Sequence, residues 1–588
     1  MGTNVKPEVY CVEETPGFLS NLKTKVKTDV TDSDVLLEYP TIYIHNWKKS
    51  SSNSNGLYDV YIGESNDIIA RTKEHYKASS DPNNWQYHLI KDGDIPKMYI
   101  IGHKHFNKSL TLDIENRLIH YISSMKSVDI VHNGRGNPQN IYYPSDEFED
   151  IFQMIWKKLR TLDKNMFLSE SEIKDSAIFK ASPLHKLTKE QIDAKNIIID
   201  RVVNAINNNL TGQLIFVNGE AGTGKTVLNS STFYELLDQG TNPYTRDLEC
   251  CLMVNHDEQV SVYQEIAQRL KLTSKFGNDI VIKPTSFINK HSSSNMVDVA
   301  FVDEAHLLLT QGKQSYRGSN QLKDILERAR VTIVMFDENQ VLTMEQYWED
   351  KIMQEFIDLA KSQGNYITLT NQLRMHCAET TKNWIDDLTK NHVINSFIKD
   401  STGYEVKVFE SPKSLHDAIK KKANTKNCKL SRVVASYDWE YSSSHEPDDK
   451  KYWSVEIDGW SLPWNRELQK NMTKKDKRKI KNLAWAEQPQ TINECGSTFT
   501  IQGFDLSYVG VIIGPSVKWE NGKIVFHPEC SHSEKAVRNR TLSDGTVKKF
   551  GEQMLQNELR VLLTRGIKGL YIYACDETLR EELKKVIK

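Results

Sequence analysis

Gly219-Glu220-Ala221-Gly222-Thr223-Gly224-Lys225-Thr226 is the stretch on which the fold turns. It fits G-x-x-x-x-G-K-[ST], follows the apolar run QLIFVN (213–218) and leads into a helical stretch, the strand–loop–helix setting of a P-loop. Gly219, Gly222 and Gly224 let backbone N–H groups close around phosphate oxygens. Lys225 brings positive charge to the β- and γ-phosphates, and Thr226 offers a hydroxyl to Mg²⁺. ATP and Mg²⁺ are therefore the expected cofactors.

Downstream, VDVAFVDEAH (297–306) is an apolar strand delivering two acids. Asp303 is expected to hold the Mg²⁺ shell and Glu304 to polarise the attacking water. Further runs of the same apolar kind surround these two: CCLMVN (250–255), VTIVMFD (331–337), NYITLTN (365–371), SRVVASY (431–437), VGVIIGP (509–515) and GLYIYACD (569–576). Strands this uniformly apolar are covered on both faces, which implies parallel sheets. Their number suits two α/β domains, 185–365 and 366–588, the second carrying a Trp- and Lys-rich insertion at about 438–490.

The chain as a whole, 588 residues with 38% hydrophobic and 26% charged residues, is long enough for three or four domains of ordinary globular protein. A net charge of −2 excludes a histone-like polycation, so nucleic-acid contact must come from local basic surfaces. The eight cysteines form no C-x-x-C pair, which reads as reduced protein. His527, Cys530 and His532 lie close in sequence, but no second ligand pair has the spacing of a zinc site. MGTNVKPEVYCVEETPGF shows no basic-then-apolar leader, and Lys6 stands where a myristoylation signal has Ser or Thr. No run approaches the ~18 apolar residues of a spanning helix. The expectation is a cytoplasmic protein with no membrane partner.

The ordered motifs resemble those of superfamily 1 helicases over about residues 185–588. Leu187-Thr188-Lys189-Glu190-Gln191 is similar to the family's glutamine motif, which implies that Gln191 reads the adenine edge. Phe336-Asp337-Glu338-Asn339-Gln340 resembles the motif whose glutamine, here Gln340, senses the γ-phosphate. Leu369-Thr370-Asn371-Gln372-Leu373-Arg374 and Asn557 to Gly566 resemble the motifs that supply Arg374 and the arginine finger Arg565. Thr498-Phe499-Thr500-Ile501-Gln502-Gly503-Phe504-Asp505 resembles the motif joining the nucleic-acid track to the ATP cleft. SRVVASYDW (431–439) and LRVLLTRGIKG (559–569) are closest in style to the bacterial helicase domain related to Schlafen proteins. One departure stands out: His306 occupies the position where superfamily 1 enzymes commonly have Gln.

Upstream, YPTIYIHNW (39–47), a polar stretch at 48–56 and LYDVYIGE (57–64) read as a hairpin with a long loop. The strand KMYIIGH (97–103) and a helix through LTLDIENRLIHYISSM (110–125) complete a small α+β unit over 38–145. Residues 1–37 are expected as an N-terminal extension and 146–184 as a linker with one amphipathic helix. Thr41-Ile42-Tyr43, Tyr61-Ile62-Gly63, Arg71, His75, Glu115 and Asn133, in that order, resemble the GIY-YIG nuclease family. The resemblance implies Tyr43 as general base with Tyr61 beside it, Arg71 on the scissile phosphate, and His75 in proton transfer. It also implies Glu115 as ligand to Mg²⁺ or Mn²⁺, and it sets Asn133 at the same site. Thr41 replaces the family's first glycine, and residues 44–60 make a long gap between the two tyrosines.

Lys474-Lys475-Asp476-Lys477-Arg478-Lys479 with Lys481, among Trp439, Trp453, Trp460, Trp464 and Trp485, admits two readings. One is a single-strand platform of cations and rings. The other is a solvated helix whose neighbouring tryptophans pack the insertion. The fold class expected is α/β, a small GIY-YIG nuclease-like domain followed by two RecA-like P-loop domains. The function expected is an ATP-dependent nucleic-acid helicase or translocase coupled to a metal-dependent endonuclease, acting on DNA in preference to RNA, in antiphage defence or repair. The alternative is a motor or sensor whose N-terminal domain binds nucleic acid without cutting it.

Overall fold

The computed structural model describes residues 5–48, 58–77, 84–91, 95–133, 143–237, 248–272, 280–313, 315–425, 427–448, 450–480, 483–501 and 503–587. Lys481, Gln502 and nearly all of the 48–56 loop lie outside the described residues. The chain divides into two compact units: residues 1–186 with 263–273, and residues 187–262 with 274–588.

The first unit is built on a five-stranded sheet in the order Glu8–Glu13, Lys97–Gly102, Thr41–Lys48, Tyr58–Ser65, Val128–Val131. All pairs are antiparallel except the last. Thr41–Lys48 lies in the middle, and its β-branched and aromatic residues are buried on both faces.

Two expectations about this unit are corrected. The stretch expected as an N-terminal extension supplies the edge strand Glu8–Glu13, in register with Lys97–Gly102 from Glu8 opposite Gly102. It also supplies the helix Phe18–Asp29, which buries Phe18, Leu22 and Val26, one face at i, i+4 and i+8. A six-residue edge strand with a mixture of polar and apolar residues on both faces carries too little apolar alternation to be seen in sequence. The stretch expected as a linker is likewise part of the core. Helix Phe148–Leu162 buries Ile151, Phe152, Ile155, Trp156 and Leu159, and Trp156 meets Tyr121 and Phe167 edge-on at 5.1 and 5.6 Å.

The second unit holds two parallel sheets, as expected of paired α/β lobes. The first has six strands in the order Tyr366–Leu369, Gln213–Gly219, Ala329–Phe336, Val297–Val302, Cys250–Met253, Val281–Ile282. The second has five: Glu405–Val408, Gly566–Ala574, Leu506–Ile513, Arg432–Ala435, Cys495–Gly496. The division expected at 365 falls too early, because Tyr366–Leu369 pairs in parallel with Phe216–Gly219. A short parallel strand at a sheet edge looks alike in either sheet, so its sequence could not assign it. P-loop, acidic pair and Gln340 all leave the carboxyl ends of first-sheet strands, the edge where open α/β sheets bind ligands.

The insertion is a small hairpin, Ser454–Ile457 with Trp460–Pro463. Trp464 and Trp485 are fully buried, and Trp439, Trp453 and Trp460 pack against the same cores. The tryptophans therefore build the core, and the helix Lys474–Ile480 presents cations without rings.

A candidate nucleotide cleft and a candidate nuclease pocket

The P-loop owes its shape to its glycines. Gly222 and Gly224 have φ of +89° and +79°, which a side chain would strain. A Cβ on Gly222 would overlap the Gln372 side chain, one on Gly224 the Gln191 amide, and one on Gly219 would sit 2.7 Å from Thr223 Oγ1. The loop is thus wrapped by its neighbours with no room to spare. Gln372 Nε2 donates to Ala221 O at 2.6 Å, and Leu373 N donates to Gly222 O at 2.7 Å.

Lys225 donates to Gly219 O at 2.5 Å and Glu220 O at 2.9 Å, and lies 3.6 Å from Asp337 Oδ2. Asp337 was quoted in its motif but not singled out as a site residue; its burial at the end of an apolar strand was the available signal. Burial pushes its carboxyl up, but Lys225 and the bond from the Gln340 amide oppose this, and it is held below the ordinary range.

Glu304 follows Asp303 in the left-handed region, at φ +48° and ψ +49°. A non-glycine residue held there is strained, as catalytic groups often are. Its carboxyl is buried, which alone would favour protonation. Lys225, Arg565 and Arg374 oppose that, and the carboxyl is held ionised, below the ordinary value. His306 Nε2 lies 3.3 Å from Glu304 Oε2, and burial pushes the imidazole down, so it is neutral.

Arg374 and Arg565 come to this same place. Arg374 Nε lies 2.6 Å from Asp505 Oδ1. Arg565, fully buried, donates through Nη2 to Gln340 Oε1 at 3.0 Å. Arg374 Nη1 and Arg565 Nε and Nη1 are buried with no hydrogen-bond partner among the described residues. Buried N–H groups on cations are costly when unpaired, so they fit an anion that the cleft is built to take. A cavity of about 370 Å³ opens at the P-loop, lined by Glu220, Thr223, Asp337, Gln372 and Lys382 among others.

Gln191 is placed differently from its expected role on adenine. Its Oε1 accepts from Thr188 N in a capping box and its Nε2 donates to Gly224 O at 3.2 Å, tying a helix start to the P-loop.

Thr226 and Asp303 offer oxygen donors, which suit a hard cation. Among the described residues no three His, Cys, Asp or Glu side chains form a metal group. Mg²⁺ would therefore be held here together with phosphate oxygens. His527, set beside Cys530 and His532 in sequence, gives its two ring nitrogens to Glu529 and Glu520 at 2.8 and 3.1 Å.

In the first unit, Tyr43 and His45 lie on one face of the central strand, with Gly63 opposite Tyr43 and Tyr61 opposite His45. Tyr43 Oη is 2.8 Å from His75 Nε2 and is also hydrogen-bonded to Arg71. Four expected residues thus gather: Tyr43, Tyr61, Arg71 and His75. Burial pushes the Tyr43 phenol well up, with Tyr61 adding to it and Arg71 opposing. Burial also pushes His75 down to about 3. Trp85, missed in sequence, stacks on Tyr61 at 4.0 Å and 11°.

Asn133 is spent on the sheet: its amide accepts from Ile62 N at 3.1 Å and donates to Ile62 O, fixing the strand that carries Tyr61. Glu115 lies half-buried on helix Lys108–Ser123.

Residues 212–576 match the family described as Schlafen group 3, DNA/RNA helicase domain. An uncharacterized protein of Saccharomyces cerevisiae is 30% identical over 399 residues, 63% of this chain and 83% of its own. Among solved structures, the arterivirus nonstructural protein 10 helicase is similar at 12% identity over 66% of this chain and 64% of its own, with a TM-score of 0.26. This chain therefore spans just under two thirds of that one. The Pif1 helicase of Candida albicans is similar at 12% identity over 68% of this chain and 98% of its own, with a TM-score of 0.27.

Proposed function

The chain belongs to the Schlafen group 3 DNA/RNA helicase domain family, and from that premise we propose that it is an ATP-driven nucleic-acid translocase carrying a phosphodiester endonuclease in its first unit. The observation that carries the motor is the convergence of Lys225, Arg374 and Arg565 with the ionised Glu304 in one buried cleft, with arginine N–H groups left unbonded. ATP fits there. Its phosphates would take the P-loop N–H groups, Lys225 and the two arginines. Glu304 would orient the attacking water, and the arginines would stabilise charge spreading over the γ-phosphoryl oxygens. Mg²⁺ held by Thr226 and Asp303 would neutralise phosphate charge. Gln340, bonded to both Asp337 and Arg565, would convey cleft closure between the lobes.

The nuclease rests on Tyr43, Tyr61, Arg71 and His75 sharing one pocket. Arg71 would hold the scissile phosphate, the Tyr43–His75 pair would take the water's proton, and Glu115 would hold a divalent cation. DNA is the favoured substrate, and antiphage defence or repair the favoured setting. The second proposal, a motor whose first unit binds nucleic acid without cutting it, is favoured by the covering of Tyr61 by Trp85 and the burial of Tyr43.

One screen tests both. Wild type, Lys225→Ala and Glu115→Ala are compared on single-stranded, duplex and branched DNA and RNA, with Mg²⁺ or Mn²⁺, with and without ATP. ATP hydrolysis stimulated by nucleic acid and lost in Lys225→Ala supports the motor; no stimulation by any substrate sinks it. Cleavage lost in Glu115→Ala supports the nuclease, and full ATPase activity without cleavage leaves the binding-only function.

A further inference from the structure

The nuclease pocket contains a buried pair that no expected role uses. His45 Nδ1 is 2.8 Å from Glu14 Oε1, and both side chains are fully buried. Tyr76 donates to the other carboxylate oxygen, Glu14 Oε2, at 2.6 Å. His45 Nε2 is buried with no hydrogen-bond partner among the described residues. The His45 ring stands edge-on to Tyr43 at 5.4 Å and perpendicular to His75 at 5.9 Å, with Trp85 at 5.7 Å.

A carboxylate on one imidazole nitrogen fixes the tautomer. The proton sits on Nδ1, facing Glu14, and the lone pair is left on Nε2. An unmade bond on a buried polar atom is costly, and such atoms persist where chemistry uses them. Here the imidazole that carries it stands beside the rings of Tyr43 and His75, the pair expected to move a proton.

We propose that Glu14 and His45 form a positioning dyad of the nuclease centre, which makes His75 able to receive the Tyr43 proton. This rests on the nuclease proposed above. In the step served, the water oxygen bonds to phosphorus and the bond from phosphorus to the leaving oxygen breaks. The water's proton passes to the Tyr43 oxygen as the Tyr43 proton passes to His75 Nε2. The leaving oxygen takes a proton from bulk water, and His75 later returns its own to solvent. A positive charge then forms on His75, in a pocket where burial, and then the Arg71 guanidinium, oppose it. A neutral His45 backed by the Glu14 carboxylate carries net negative charge and attracts that proton, whereas a protonated His45 repels it. The dyad therefore works only with His45 neutral.

The groups facing His45 are Tyr43 on its own strand, Tyr61 on the neighbouring strand, His75, Tyr76 and Arg71 from helix Ile68–Lys77, and Glu14 from the segment after the edge strand. Glu14 lies in the stretch that looked like an extension, which is why sequence could not pair it with His45.

The test uses the full chain and measures kcat, KM and the pH–rate profile of cleavage. Glu14→Gln keeps shape and removes charge. It is expected to lower kcat about tenfold to a hundredfold, to leave KM for nucleic acid unchanged, and to move the acid limb of the profile to lower pH. His45→Gln is expected to lower kcat at least as much and to abolish that limb. ATPase activity, carried by the second unit, stays at the wild-type value in both and reports that the chain is folded. Wild-type rate and profile in both variants overturn the dyad while leaving the nuclease standing. If either variant fails to fold, the wild-type profile decides: a flat acid side overturns the proposal. A wild-type protein that cleaves no substrate overturns the nuclease, and the dyad with it.

Discussion

Arg565 Nη2 donates to Gln340 Oε1 at 3.0 Å, and Gln340 Nε2 donates to Asp337 Oδ2 at 2.7 Å, so the second-lobe arginine reaches the Lys225 partner through one amide. Losing the guanidinium removes charge stabilisation made mainly in the transition state. Arg565→Ala should therefore lower kcat for ATP about a hundredfold or more with little change in KM. Gln340→Ala leaves the arginine present but unheld. It should lose stimulation by nucleic acid while retaining basal hydrolysis within about tenfold. The double variant should match Arg565→Ala alone, because the two residues act as a unit. Additive losses in steady-state ATPase assays would show that they do not.

Gly63 faces Tyr43 across the hairpin, and a Cβ there would lie 2.5 Å from the Tyr43 hydroxyl oxygen and 2.6 Å from its Cζ. Gly63→Ala must push the phenol off His75. It is expected to abolish cleavage, to lower the stability of the first unit by about 1–3 kcal/mol through overpacking, and to leave ATP hydrolysis untouched. Melting and cleavage assays on the one variant check this. Undiminished cleavage would mean that Tyr43 is not in the reaction.

The P-loop and the acidic pair were legible because each follows an apolar strand that announces it, whereas Arg374 and Arg565 could be singled out only from the order of the motifs around them. The burial of tryptophans at 439–485 was not, since rings that stack on bases and rings that fill a core have one composition. Edge strands were hardest: Glu8–Glu13 and Tyr366–Leu369 are placed by their partners, Lys97–Gly102 and Gln213–Gly219, and not by anything within themselves. Trp85 and Glu14 were hidden for a related reason. Each reaches the pocket of Tyr43, Tyr61 and His75 from a segment with no periodicity, through contacts that exist only once the sheet has formed. Asn133 was set at the site by its place in the order of residues, and its bonds to the Ile62 backbone could not be read there, because a side-chain amide that completes a sheet edge looks the same in sequence as one that faces a substrate.

His306 lies against Glu304, with Nε2 at 3.3 Å from Glu304 Oε2, and is fully buried and neutral. A neutral polar side chain suffices for that contact, so His306→Gln should keep ATP hydrolysis within about threefold of wild type. His306→Ala leaves a hole against Glu304 and should lower kcat about tenfold or more. Because burial already holds the imidazole neutral, the pH–rate profile of His306→Gln should overlay that of wild type above pH ~6. A profile that changes slope there would show that the histidine itself titrates in the cycle.

Glu558, buried on helix Gly551–Leu563, has its carboxyl pushed up to about 8. Burial is the larger cause and the charge of Asp438 adds to it, against bonds from the Tyr437 backbone and the Thr498 hydroxyl. An unfolded glutamate titrates near ~4.3. Between that value and about 8 the folded chain holds a proton that the unfolded chain has lost. The stabilisation is complete below the lower value and is lost as pH rises through the higher one. Glu558→Gln, which cannot ionise, removes this dependence. Wild type and variant should melt together near pH 5 and diverge toward pH 9, with the variant higher by several degrees. Differential scanning calorimetry at pH 5, 7 and 9 measures it. Curves that stay parallel across that range would mean that Glu558 is already ionised in the folded chain at neutral pH, and that Asp438 and the Thr498 hydroxyl are arranged around a charge, not a proton.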